Sequence, residues 1–453
     1  MAIITGEASG DRVGGDLVRA LRRLRPDWHY FGTGGKHLRD AGAELLVDSS
    51  RWGGIGVAEA ATVLPRVLRA FAELKRTLLR RKPDLLIAVD AGGFHLGFAG
   101  IQGLCPWARE HLPETPILYY FPPGSWRRTV RHTTLAANAD LVATPFPWSE
   151  TELRRHGVNA RFVGHPLLDL VKPELAPAQF ASRFGIETEH PVVGILPGSR
   201  RAEIQYILPA QLHAAEIIRR RVPGVQFVVA LAATVDAEMV RAQVERVQNE
   251  IKTRESAAVE ARMQAWEAKT GMSGGRVPVA AGSPALPDEL ARRQKAWIQK
   301  AAGISEEPAG PLPLVLVPDL TYDVMAASDV LISASGTATL EAAILGKPMV
   351  ILYKLSRWNL PQYWLVRKTL PPFIGLPNLL AERQIVPEFV QDAATPDALA
   401  SSVIDFLLEP DRLLKTRESL AEVRAMLGEP GGAARTAQLA VELAEQGRGR
   451  KQS

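Results

Sequence analysis

Short, mainly apolar runs recur along the chain, separated by longer stretches in which apolar and charged residues follow helical spacing. Ala2–Thr5, Trp28–Gly32, Leu85–Val89, Ile117–Phe121 and Asp140–Thr144 form one set of runs, and Val192–Leu196, Gln226–Leu231, Leu314–Val317, Val330–Ile332 and Met349–Tyr353 a second. Runs without in–out alternation predict strands covered on both faces, as in a parallel sheet. The stretches between them predict helices. In one of these, Leu64, Val67, Leu68, Phe71, Leu74 and Leu78 share a face, with Arg66, Arg69, Lys75, Arg76, Arg80, Arg81 and Lys82 on the polar side. Two successive sets predict an α/β protein of two doubly wound, Rossmann-like domains facing a cleft. The expected boundaries are 1–172 and 173–395, with 396–453 supplying C-terminal helices and a disordered basic tail.

One stretch breaks the pattern. Residues 235–312 alternate charged helical sequence with Gly- and Pro-rich segments and show little sustained apolar periodicity, so they read as a mobile helical insertion without a catalytic role.

Composition narrows the class. Charged residues make up 23% and apolar residues 46% of the chain, a globular balance. The net charge of +5 and a pI of about 9.3 suit an anionic small molecule or membrane surface as well as nucleic acid. The single cysteine, Cys105, excludes an internal disulfide and a cysteine-based metal site, which fits a reducing cytoplasm. No apolar run is long enough to span a bilayer, and Met1–Thr5 leads into a glycine-rich turn rather than a signal peptide. Membrane contact would therefore be peripheral. The short first strand also leaves room for a start upstream of Met1.

The candidate chemistry lies where strands end. Ser335, Gly336 and Thr337 follow the strand Val330–Ile332 and open a helix, offering backbone N–H groups, hydroxyls and a helix dipole to a phosphate; a plain helix cap is the alternative. Glu341, one turn on, stands within reach of a ribose. Gly198 and Ser199 form a similar entrance, with Arg200 to neutralise phosphate charge. At the first strand, Gly6, Glu7, Ser9 and Gly10 form another small-residue turn, with Ser9 and Asp11 as helix caps. Asp90 ends a buried strand at the crevice side and is either a general base or a cap for the turn Ala91–Gly93. His165, before a proline and with no Ser or Cys nearby asking for a base, reads as a hydrogen-bonded hinge. The basic helix after Ile55 and the aromatic cluster Trp358–Val366 read either as surface anchors or as ordinary packing.

Several of these motifs coincide with one family. Gly6-Glu7-Ala8-Ser9-Gly10-Asp11, the strand ending at Asp90, Gly164-His165-Pro166, Leu196-Pro197-Gly198-Ser199-Arg200, Ala334-Ser335-Gly336-Thr337-Ala338-Thr339-Leu340-Glu341 and Leu376-Pro377-Asn378-Leu379-Leu380 together resemble lipid-A-disaccharide synthases. The resemblance implies a GT-B glycosyltransferase fold (glycosyltransferase family 19) and an inverting hexosyltransferase without metal or cofactor. It implies transfer of 2,3-diacylglucosamine from UDP-2,3-diacylglucosamine to the 6-hydroxyl of 2,3-diacylglucosamine 1-phosphate, a step of lipid A biosynthesis that releases UDP. The implied setting is the cytoplasmic face of the bacterial inner membrane, peripherally bound, with a domain-swapped homodimer and no nucleic-acid partner. Asp90 and Arg200 then become catalytic candidates; Gly198, Ser199, Ser335, Gly336, Thr337, Glu341 and Asn378 nucleotide contacts; Gly6, Glu7, Ser9 and Gly10 sugar contacts. The sequence departs from the family pattern at Gly92–His95 and at Pro122–Arg128, both on the acceptor side. Two other readings stay open: a GT-B UDP-sugar enzyme with another acceptor or an epimerase, and a non-catalytic membrane-peripheral nucleotide-sugar binder.

Overall fold

The protein is described here by a computed structural model covering residues 1–6, 8–49, 57–98, 101–124, 132–232, 234–270, 312–355 and 371–452. Two open parallel sheets carry the fold. The first contains β1 (Ala2–Thr5), β2 (Phe31–Gly34), β3 (Glu44–Asp48), β4 (Leu86–Val89), β7 (Ile117–Tyr120), β8 (Leu141–Thr144) and β9 (Ala160–Phe162), in the order β3-β2-β1-β4-β7-β8-β9. A two-stranded hairpin, β5 (Gly97–Phe98) and β6 (Ile101–Gln102), stands apart from it. The second sheet contains β10 (Val192–Leu196), β11 (Gln226–Leu231), β12 (Leu314–Pro318), β13 (Val330–Ala334), β14 (Met349–Tyr353) and β15 (Glu388–Val390), in the order β12-β11-β10-β13-β14-β15. Central strands such as β1, β4, β7 and β10 are buried along their whole length, as their unalternating apolar sequences require.

Each order reverses once, between β1 and β4 and between β10 and β13. At such a point the crossover helices leave toward opposite faces and open a crevice at the carboxyl ends of the strands. In the first sheet Thr5 pairs with Val89, so Gly6 and Asp90 leave adjacent strand ends. In the second, Leu196 pairs with Ser333, so the turns after β10 and β13 also emerge side by side.

The reading of 235–312 as an insertion is corrected in its first half. Ala237–Thr270 is one helix, the crossover between the paired parallel strands β11 and β12. Its Val240, Val244, Val247 and Ile251 are buried in the core of the second domain with Ile218 and Phe227. Their spacing of four, three and four residues is helical, but it spans only the first half of the helix and is diluted by the charged second half. Side-chain contacts hold the helix further: Arg220 Nη2 pairs with Glu255 Oε1 at 2.6 Å, and His213 Nε2 lies 3.3 Å from Glu250 Oε2. Residues 271–311, with the Gly- and Pro-rich segments, lie outside the described residues.

The C-terminal helices divide between the domains. Pro396–Leu408 and Pro410–Met426 pack in the second domain, through Leu399, Val403 and Phe406 and through Leu420 and Val423. Gly432–Gln452, which includes most of the expected tail, returns to the first domain and buries Ala433, Ala437, Ala440, Val441 and Ala444 among Leu17, Val18 and Leu21 of the first helix, Ala8–Leu24. Asp169 caps this returning helix by accepting from the backbone N–H of Gly431 at 2.7 Å and Gly432 at 3.0 Å. The chain thus passes between the domains twice, and the passages are bonded together: His165 N–H donates to Leu427 O at 3.0 Å and Arg435 Nε to Val163 O at 2.8 Å.

Candidate active site

The first domain's part of the site is built on the β1/β4 crevice. Asp90 and Ala91 follow β4 with φ of 54° and 43°, two consecutive non-glycine residues in the left-handed region. Each costs of the order of 1–3 kcal/mol, and Asp tolerates the region better than most residues. The surroundings hold the turn: Tyr119 donates its hydroxyl to Asp90 O at 2.7 Å and Asp90 N–H donates to Tyr120 O at 3.1 Å. The result is a half-buried Asp90 at the crevice rim, where the backbone leaves the strand direction.

Gly6 faces this turn so closely that a Cβ there would stand 2.5 Å from the Ala91 Cβ, which admits only glycine. A Cβ on Gly10 would stand 3.6 Å from that of Asp90. The structure therefore brings Gly6, Gly10 and Asp90 together. Glu7 and the Ser9 side chain lie outside the described residues. Asp11 is buried and caps a different helix from the one expected: its carboxylate accepts from the N–H groups of Gly35, His37 and Leu38 at 2.6, 3.0 and 3.1 Å, at the start of Lys36–Asp40.

Two buried histidines adjoin this half. His95 lies under β4 with Nε2 3.2 Å from Val89 O, and burial lowers its pKa to about 4. His165 is packed between Phe121 and Phe146, and burial lowers its pKa to about 3. Its Nδ1 accepts from Leu167 N–H at 3.2 Å, so the ring is a neutral structural element, as a hinge requires.

The second domain's part lies at the β10/β13 crevice. The turn after β13 opens the helix Thr337–Ile344; Gly336 and Thr337 are exposed, and a Cβ added to Gly336 would meet nothing within 4 Å. The helix entrance and its dipole therefore front open space at Gly336. The Ser335 hydroxyl is turned away from it, donating to Ile374 O at 3.0 Å.

The loop after β10 departs from the expectation of an empty N–H cradle. Glu203 Oε2 accepts from Ser199 N–H at 2.7 Å and Arg200 N–H at 3.1 Å, and Oε1 pairs with Arg200 Nη1 at 3.1 Å. A Cβ on Gly198, whose φ is 108°, would fall 2.1 Å from Glu203 Oε2. The chain's own carboxylate fills the place assigned to a phosphate, leaving the partly exposed Arg200 side chain as the group that can meet a ligand. Glu203 stands three residues after Arg200, at the third position of its helix, so the capping-box spacing was the available signal.

The Asn378 side chain is bonded within the chain. Its Nδ2 donates to Val386 O and Glu388 Oε2, both at 2.9 Å, while Oδ1 accepts from Ile385 N–H at 2.8 Å and Val386 N–H at 3.0 Å. An amide has two donors and two acceptor positions, so none remains for a nucleotide. Asn378 instead orients Glu388, which accepts from Ile374 N–H at 2.9 Å and Gly375 N–H at 3.0 Å beside the Ser335 turn.

Glu341 has partners that sequence reasoning missed. Tyr322 donates its hydroxyl to Glu341 Oε1 at 3.1 Å and accepts from Arg12 Nη1 at 2.5 Å; Arg12 Nη1 lies 3.8 Å from the same carboxylate oxygen. Arg12 comes from the first domain, so this contact spans the cleft. Burial raises the Glu341 pKa, while Arg12 and Tyr322 oppose the shift. No sequence signal marks the trio, since its members are 19 and 310 residues apart in the chain. Among the described residues no cluster of three or more His, Cys, Asp or Glu side chains is arranged to hold a metal.

Two open parallel sheets with facing crevices, one presenting a carboxylate and the other an open helix entrance and an arginine, define a two-domain GT-B fold. Solved structures of this fold align over nearly the whole chain. UDP-GlcNAc 2-epimerase from Neisseria meningitidis, bound to UDP-GlcNAc, matches with a TM-score of 0.51 and 13% identity over 98% of this chain and all (100%) of that one. The glycotransferase of kitacinnamycin matches with a TM-score of 0.52 and 14% identity over 98% of each chain.

Sequence narrows the class to one family. The family described as lipid-A-disaccharide synthetase matches residues 1–269 and 302–442. The lipid-A-disaccharide synthase of Geobacter sulfurreducens is 33% identical over 444 residues, 97% of this chain and 96% of that protein, and that of Myxococcus xanthus is 32% identical over 98% of both. The chain belongs to the lipid-A-disaccharide synthase family and is a glycosyltransferase. The epimerase and non-catalytic readings give way to this. The family match omits 270–301, of which 271–301 lie outside the described residues.

Proposed function

We propose that the enzyme transfers 2,3-diacylglucosamine from UDP-2,3-diacylglucosamine to the 6-hydroxyl of 2,3-diacylglucosamine 1-phosphate. The observation that supports this most is what the two crevices supply: a carboxylate, Asp90, at the end of β4 in one domain, and an open helix entrance after β13 with Arg200 after β10 in the other. Asp90 accepts the proton of the acceptor hydroxyl as its oxygen attacks the anomeric carbon from the face opposite the diphosphate. The bond from that carbon to the phosphate oxygen breaks, the configuration inverts, and UDP leaves with both electrons. Arg200 and the N–H groups at the start of Thr337–Ile344 offset the charge that grows on the departing diphosphate. Glu341 accepts from ribose hydroxyls, Ser199 and Gly198 shape the Arg200 loop, and Asn378 acts through Glu388 on the Ile374–Gly375 segment rather than by touching nucleotide. The Gly6–Gly10 turn, with Glu7 and Ser9, borders the sugar. The reaction as written calls for no cofactor or metal.

Both substrates are anionic lipids, which supports work at the cytoplasmic face of the inner membrane. No described helix is long and apolar enough to cross a bilayer. On the helix Val57–Arg81, Leu68 and Leu79 are 46% and 41% exposed, beside the exposed Arg69, Arg76 and Arg80. Exposed leucines among cations suit peripheral binding to anionic lipid. The aromatic cluster Trp358–Val366 lies outside the described residues. A domain-swapped homodimer would reuse the contact between the C-terminal helix and Leu17, Val18 and Leu21, made between two chains instead of within one.

The test is transfer between the two lipid substrates by purified protein, with and without EDTA, beside Asp90→Asn. Disaccharide and UDP formed in the presence of chelator, and lost in the variant, support the proposal. Turnover with another acceptor sugar only would replace the acceptor. UDP binding without turnover on any acceptor would overturn the proposal.

A further inference from the structure

The Arg12–Tyr322–Glu341 contact joins the start of the first helix to the second domain, next to the open turn of Gly336 and Thr337. Three features separate it from a casual surface ion pair. Glu341 is 12% exposed, whereas an ordinary surface carboxylate sits in water, so its partners set its orientation and charge. The tyrosine is half-buried and bridges, its hydroxyl accepting from Arg12 and donating to Glu341, while the Arg12 guanidinium lies 5.6 Å from the Tyr322 ring centroid. Among the described residues the Tyr322 hydrogen bond and the 3.8 Å approach of Arg12 both fall on Oε1 of Glu341, and no side-chain hydrogen bond falls on Oε2.

We propose that Arg12 and Tyr322 are positioning residues for nucleotide recognition: together they hold Glu341 by one oxygen, so that the other accepts from the donor's ribose hydroxyls. This rests on the reading that Glu341 meets the ribose. A carboxylate fixed in one rotamer receives a hydroxyl without first paying for its own ordering. A site built around such an acceptor discriminates against a sugar that lacks the hydroxyl, because the acceptor is then left desolvated and unpaired. Since Arg12 belongs to the opposite domain, the same arrangement makes the first domain part of the nucleotide site without touching the nucleotide.

The experiment is calorimetric titration of UDP, 2′-deoxy-UDP and 3′-deoxy-UDP into the full-length wild type and the variants Arg12→Met, Arg12→Lys, Tyr322→Phe and Glu341→Gln, with melting temperatures recorded for each. The wild type is expected to prefer UDP over at least one deoxy analogue by about ten-fold or more. Arg12→Met and Tyr322→Phe should weaken UDP by about five- to ten-fold while leaving that analogue nearly unchanged, which compresses the preference. Arg12→Lys should restore part of it. A general loosening of the fold would instead weaken all three ligands together. If Glu341→Gln abolishes the preference while Arg12→Met and Tyr322→Phe keep it in full, the positioning role is overturned and the ribose reading stands. If the wild type shows no preference, or Glu341→Gln preserves it, the ribose reading fails and the positioning role with it.

Discussion

Glu203 and Ser199 form the hydrogen bond that defines the loop after β10: the carboxylate Oε2 accepts from the serine N–H at 2.7 Å. The same carboxylate holds the Arg200 N–H and guanidinium, so a buried acid fixes the partly exposed cation beside the end of β10.

Glu203→Gln keeps the shape and removes the charge. Donor use should fall, with kcat/KM down about ten-fold or more, and the fold should lose about 1–3 kcal/mol as charge-assisted bonds become neutral ones. Steady-state kinetics in donor concentration and urea unfolding measure the two effects.

Asp90→Asn is expected to lower kcat by about 10²–10⁴, the range of a general base, while UDP affinity stays at the wild-type level. Asn is at home in left-handed backbone, so the turn at φ 54° persists and the melting temperature should hold.

Asn378→Asp places a second carboxylate where Nδ2 now donates to Glu388 Oε2 at 2.9 Å. Two ionised carboxyls in a buried site repel, and the Val386 carbonyl loses its donor. A stability loss of about 2–4 kcal/mol is expected at pH 7, smaller near pH 5 where one carboxyl takes a proton. Urea unfolding at the two pH values reads it.

His95 and His165 set an acid limit. Their folded-state pKa values, about 4 and about 3, lie below the ordinary 6.5, so between these values the unfolded chain binds protons that the folded chain refuses. Stability is therefore full above about pH 6.5 and falls as pH drops, by about 1.4 kcal/mol per pH unit per ring. His165→Gln should flatten the slope of melting temperature against pH between about 6 and 4.

Val247→Asp tests the crossover helix. Val247 is fully buried with Val244 and Ile251, so an unpaired charge there should unfold the second domain or cost well over about 3 kcal/mol. A mobile insertion would tolerate the change, and circular dichroism with thermal melting separates the two.

The strands most legible in the sequence were those buried on both faces, such as Leu86–Val89 and Val192–Leu196, because burial forces unbroken apolar runs. The edge strands Glu44–Asp48 and Glu388–Val390 escaped: each has a neighbour on one side only, and their residues are half-exposed or more. Strand-end motifs marked Asp90 and the Ser335–Thr337 turn, since a parallel sheet brings its strand ends to one edge. What sequence does not carry is which polar groups are already used. Asn378 and the Ser199 N–H look like ligand contacts until their partners, Ile385, Val386, Glu388 and Glu203, come into view.

The paired passages of chain at His165 and Leu427 limit how the enzyme can move. A single tether would let one domain swivel or slide over the other; two tethers bonded side by side leave bending about one axle. Any opening of the cleft would have to bend both passages together, so Asp90 and Gly336 would part and meet along one direction.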